Sequence, residues 1–141
     1  MKSNISLIIA LILTLITTSC ETQKEDINKK IKSPNQDSEL ALLMREMYDE
    51  AMMNKRNITN NKPPKINLDH EKILNAIATE PEKAASPEFK AFANSYLQSI
   101  EKLKYSNSHQ KKEYFENVVN NCMACHQSLC PGPLVRIKKL Q

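Results

Sequence analysis

Apolar residues recur at spacings of three and four in four stretches of the chain, and each stretch reads as one buried face of a helix. Leu40, Leu43, Met44, Met47, Ala51 and Met52 mark a first helix from about Asp37 or Ser38, either a good N-cap, to near Asn57. Asn60-Asn61-Lys62-Pro63-Pro64 then breaks the pattern. A shorter second helix is expected from Asp69 to Thr79, with Ile73, Leu74 and Ile77 inward, and Pro81 stops it. Ser86-Pro87-Glu88 combines an N-cap, a proline at the first helical position and an acid at the positive end of the helix dipole. From there Phe89, Phe92, Ala93, Tyr96, Ile100 and Leu103 form the stripe of a third helix. Beyond Tyr105-Ser106-Asn107-Ser108 a fourth stripe runs through Phe115, Val118, Val119, Cys122, Cys125, His126 and Leu129, and Pro131-Gly132-Pro133 ends it. There is no strand-like alternation of any length and no internal repeat. Four amphipathic helices with short connections imply an all-α fold, an antiparallel four-helix bundle.

The beginning of the chain has another character. Lys2 precedes an apolar run from Ile5 to Ile16, interrupted only by Ser6 and Thr14. That is too short to span a hydrocarbon core, which takes about 20 residues as a helix. A basic start, a short apolar stretch and small residues before a cut site mark a secretory signal. Here Thr17, Thr18 and Ser19 lead directly into Cys20, which resembles the lipobox of bacterial lipoproteins, where the Cys is lipidated and becomes the new N-terminus. Residues 1–19 are thus expected to be a signal peptide and Cys20 the lipidation site. The protein would then sit lipid-anchored on the periplasmic side of a bacterial membrane. A soluble secreted protein cut nearby is the alternative, with Cys20 incidental. Residues 20–36 are polar and charged and read as a flexible tether.

Composition narrows the function. Of 141 residues only Gly132 is glycine, which excludes a phosphate-cradling loop or a dinucleotide fingerprint, since both need several. A net charge of +4 with no aromatic-studded basic patch argues against nucleic-acid binding. Arg136, Lys138 and Lys139 read as a solvated tail, or as a docking patch for an acidic redox partner. No paired carboxylates, triad or open metal site can be read from spacing, so no enzyme is expected.

The chemistry lies at the end of the fourth helix. Cys122-Met123-Ala124-Cys125-His126 is a CxxCH sequence, the attachment motif of c-type haem. Residues three and four apart share a helix face, so two thiols can bond to the haem vinyl groups while the imidazole of His126 reaches the iron. An extracytoplasmic address suits covalent haem attachment. Rival readings are a disulfide between Cys122 and Cys125, which leaves His126 idle, and a thioredoxin-like pair, which needs a sheet. A zinc site of Cys122, Cys125, His126 and Cys130 is the third, with four ligands crowded into nine residues. Lipid on Cys20 and haem on Cys122 and Cys125 leave Cys130 unpaired. His70 and His109, at the starts of the second and fourth helices, read as solvated side chains. Tyr48, Tyr96, Tyr105 and Tyr114 are expected to line the bundle, and Glu101-Lys102 and Lys111-Lys112-Glu113 to be solvated faces.

With CxxCH on the last of four helices, the chain resembles the class II cytochromes c, the cytochrome c-prime family, over about residues 37–135. The resemblance implies one covalent haem c in a domain spanning 37–141, redox partner proteins and a tendency to form homodimers. It also implies that the sixth iron position faces the first helix, where Met binds in low-spin electron carriers and a bulky apolar residue leaves the site open in high-spin members. Met44 and Met47 stand at that place and share a face, Met44 being the expected ligand. The alternative is that both are gap-filling core residues. The resulting expectation is a membrane-anchored one-electron carrier. A five-coordinate haem protein binding NO or CO and a zinc-stabilised interaction module are the alternatives.

Overall fold

The computed structural model describes residues 37–141. The expected signal peptide, Cys20 and the whole of the tether at 20–36 lie outside the described residues. Within them the chain is all-helical, with no strand. In order it forms α1 (Glu39–Thr59), a 3₁₀ turn (His70–Leu74), α2 (Pro81–Ala85), α3 (Pro87–Lys104), α4 (Lys111–Leu129), α5 (Leu134–Ile137) and a final 3₁₀ turn (Lys138–Leu140). None of these helices is long and apolar enough to cross a membrane.

Local chemistry sets the ends of α1. The Ser38 hydroxyl accepts from the Ala41 N–H at 3.2 Å, and the Leu40 N–H, otherwise an orphan of the first turn, donates to the Ile77 carbonyl at 3.0 Å. At the other end Asn61 adopts φ 57°, a left-handed geometry that asparagine tolerates better than most residues. The Asn61 N–H then donates to the Ile58 carbonyl and the Lys62 N–H to the Asn57 carbonyl, a Schellman closure achieved without glycine. Ser86 both ends α2 and caps α3, its hydroxyl accepting from the Phe89 N–H at 3.1 Å.

α3 and α4, joined through residues 105–110, form the main packed pair, and α1 lies against α4. The core between them holds Leu43 and Met47 of α1, Phe89, Tyr96 and Leu103 of α3, and Phe115, Val118 and Val119 of α4.

The expected second helix from Asp69 to Thr79 does not form. The 3₁₀ turn at His70–Leu74 stands in its place, followed by an irregular stretch and α2. A 3₁₀ turn brings residues three apart onto one side, so His70 and Ile73 are both buried while Leu74 and Ile77 are about two-fifths exposed. The expected inward positions of Leu74 and Ile77 and the solvated placement of His70 are corrected accordingly. His109 is exposed, as expected.

Three further expectations change. Lys111 is buried, its Nζ donating to the Lys62 carbonyl at 3.4 Å, so it tethers the loop after α1 rather than lying on a solvated face. Tyr105 caps α3 and is 74% exposed, so it does not line the bundle. The C-terminal stretch is not a free tail, because Ile137 and Leu140 enter the core. Lys55 of α1 holds that stretch by donating to the carbonyls of Lys139 and Gln141.

Candidate functional site

The CxxCH face of α4 looks onto a cavity of about 870 Å³, toward the upper end of the ~300–1,000 Å³ typical of ligand pockets. Cys122, Cys125 and His126 line it from α4, Met44, Met47 and Tyr48 from α1, and Phe89, Tyr96 and Ile100 from α3. Ile137 and Leu140 of the C-terminal stretch close one side. A smaller space of about 30 Å³ also lies among Met44, Met47, Cys122, Cys125 and His126. Residues expected from sequence to act together thus share one cavity although nearly 80 positions separate Met44 from Cys122. Met47 is buried and Met44 half-buried, and both are on its wall. Met123, between the two cysteines, points into the core instead.

His126 sits in the last turn of α4, and its Nδ1 lies 2.9 Å from the carbonyl of Cys130. A carbonyl can only accept, so Nδ1 carries the proton and Nε2 is left as the bare nitrogen. Metal-binding histidines are typically oriented in this way, by a second-shell acceptor on the other ring nitrogen. The acceptor exists because α4 ends at Leu129 and Cys130, ahead of Pro131, turns its carbonyl back.

The thiols of Cys122, Cys125 and Cys130 are all free. Burial, and then the neighbouring Cys125, push the Cys122 thiol up to about 12. Burial, followed by Cys130 and Glu88, pushes Cys125 up to about 11. Both are protonated at neutral pH, which protects them from oxidation, since the thiolate is the reactive form. Among the described residues no three His, Cys, Asp or Glu side chains converge on a point that could hold a metal ion, so the four zinc-ligand candidates do not form a tetrahedral set here.

The thiols carry a stability prediction. In the unfolded chain they ionise from about pH 9, whereas the folded protein holds them protonated to about pH 11–12. Stability is therefore retained below about pH 9 and lost as pH rises through the folded values. For Cys122 the loss is up to about 1.4 kcal/mol per pH unit. Urea unfolding of haem-free protein at about pH 8 and about pH 10 is expected to show this fall, and Cys122→Ala to flatten it.

Sequence reasoning missed a second group on the same cavity. Glu50, His70 and Tyr96 all line it, and all are buried. His70 Nε2 lies 2.8 Å from Glu50 Oε1, and His70 Nδ1 lies 2.9 Å from the Tyr96 hydroxyl. Glu50 Oε2 also accepts from the N–H groups of Asn67 and Leu68, at 2.7 and 3.0 Å. One turn on, Asn54 bonds both backbone groups of Lys65. A signal for this was present: 43, 47, 50, 54 and 58 keep helical register, so Glu50 and Asn54 fall on the core-facing stripe.

No protein-family model, curated protein or solved structure matches this chain.

Proposed function

We propose that this protein is a monohaem c-type cytochrome that carries single electrons, anchored by lipid on Cys20 to the periplasmic side of a membrane. The observation that carries the reading is the CxxCH face of α4 on a largely apolar cavity of about 870 Å³, with the Nδ1 of His126 already committed to the Cys130 carbonyl. The residues fit the group on chemistry as well as room: two neutral thiols, a bare imidazole nitrogen and a thioether-bearing opposite wall.

Cys122 and Cys125 would hold the haem through thioether bonds, and His126 would ligate the iron through Nε2. Haem so bound supplies an iron that gains and loses one electron. Met44 on α1 would be the distal ligand, with Met47 the neighbouring candidate; a thioether there raises the potential. Phe89, Ile100 and Ile137 give the cavity an apolar lining, which limits rearrangement around a changing charge. The proposal extends to the arrangement of the whole domain: a cytochrome c-prime-like bundle in which the 3₁₀ turn and α2 stand where a second long helix would. Its partners would be redox proteins, and the basic C-terminal residues Arg136 and Lys139 at the cavity rim offer them a docking edge.

Optical spectra of protein made with the haem-attachment machinery test this reading. Sharp reduced bands, a weak sulfur-to-iron band in the oxidised form and indifference to CO are expected, and Met44→Ala should abolish the sulfur band. A broad high-spin spectrum transformed by CO would replace the electron carrier with a gas-binding protein.

A further inference from the structure

The buried chain Glu50–His70–Tyr96 has no part in holding haem, yet it faces the same cavity. We propose that it is a redox-linked proton site, so that the protein carries a proton together with its electron. The inference rests on the haem reading above and adds to it the kind of partner that reading leaves open.

Hydrogen-bond directions carry the argument. Glu50 Oε2 is occupied by two backbone N–H donors and Oε1 faces His70 Nε2, so Nε2 donates to the carboxylate. In the neutral ring Nδ1 is then bare and accepts from the Tyr96 O–H. Burial, with the nearby Cys122 and Glu50 adding to it, holds the Tyr96 phenol well above its ordinary range, so the phenol keeps its proton. His70 Nδ1 is thus the one basic position of the chain open to a further proton.

The surroundings favour filling it when negative charge enters the cavity. From α1 the group facing His70 is the Glu50 carboxylate, and from α3 it is the Tyr96 phenol, with the Cys122 thiol of α4 beyond it. Asp69, Glu71 and Lys72 on the same turn are exposed. Among the described residues no Lys or Arg pairs with Glu50, whose side-chain partner is His70. Protonation of His70 therefore neutralises a buried carboxylate.

On reduction the electron comes from the partner and the proton from solvent. The proton ends on Nδ1, which now donates to the Tyr96 oxygen, and the Tyr96 O–H turns toward the cavity. Oxidation reverses each transfer, and no other bond forms or breaks. The donors suited to such a carrier are those that lose hydrogen with their electrons, such as quinols.

The test is the midpoint potential of the haem-loaded protein between about pH 5 and pH 9. It is expected to fall by up to tenfold in electron affinity per pH unit, about 59 mV for one electron, and His70→Gln is expected to flatten the slope. Histidine-ring NMR of the reduced protein, with His109→Gln to leave His70 as the one non-ligand histidine, should show a doubly protonated ring where the oxidised protein has a neutral one. A haem-loaded protein whose slope is unchanged by His70→Gln, or whose His70 ring keeps one proton in both states, would overturn this proposal and leave the haem reading standing. Failure to load haem at all would overturn both.

Discussion

Replacing Cys122 and Cys125 together with Ser is expected to abolish haem retention under denaturing conditions, while the helical fold survives. The two thiols occupy one face of α4 and line the cavity, so their removal would take away both proposed thioether bonds without disturbing the packing of Phe115, Val118 and Val119 on the core side. Serine is close in size, and both positions are only half-buried. Haem staining of a denaturing gel should go from full intensity to none, and each single variant should retain one bond and weaker colour. His126→Ala should behave differently. It should leave the thiols able to attach haem but lose the low-spin spectrum, because the nitrogen oriented by the Cys130 carbonyl is gone. Haem retained by the double Ser variant through denaturation would show that attachment does not use this motif.

The second large effect is one of stability. Glu50→Ala removes a carboxylate that accepts from Asn67, Leu68 and His70, leaving the buried His70 ring and two part-buried backbone N–H groups without this partner. An unsatisfied buried group costs about 1–3 kcal/mol, and the His70 ring N–H is the deepest of the three donors. A loss of about 2–3 kcal/mol is expected, a sizeable part of the ~5–15 kcal/mol that holds a small domain folded. Glu50→Gln keeps an acceptor oxygen and should cost less. Urea unfolding of both variants measures the difference; a loss below about 1 kcal/mol for Glu50→Ala would mean that the loop at 65–68 does not depend on α1.

Much of this site was legible in residue order because its determinants are local. Ser38 and Ser86-Pro87-Glu88 cap helices where their side chains reach the next turn, and CxxCH places its three groups on one face through helix geometry alone. What was not legible depends on partners far along the chain. His70 looks solvated until Glu50, twenty positions earlier, and Tyr96, twenty-six later, close around it. Its burial also needs a 3₁₀ turn, whose period differs from the one that makes Ile73, Leu74 and Ile77 look like a helical stripe. Lys111 reads as a surface charge until the Lys62 carbonyl meets it. The stretch after Pro133 reads as a polar tail because Ile137 and Leu140 are too few to mark a helix, yet both enter the core.

The most direct test of the central claim is the intact mass of the protein, made with and without the haem-attachment machinery and measured under denaturing conditions. The account predicts a gain of one haem per chain that acid and organic solvent do not remove, with Cys122 and Cys125 as the modified residues after proteolysis. An unmodified mass from cells that load a control c-type cytochrome would contradict it.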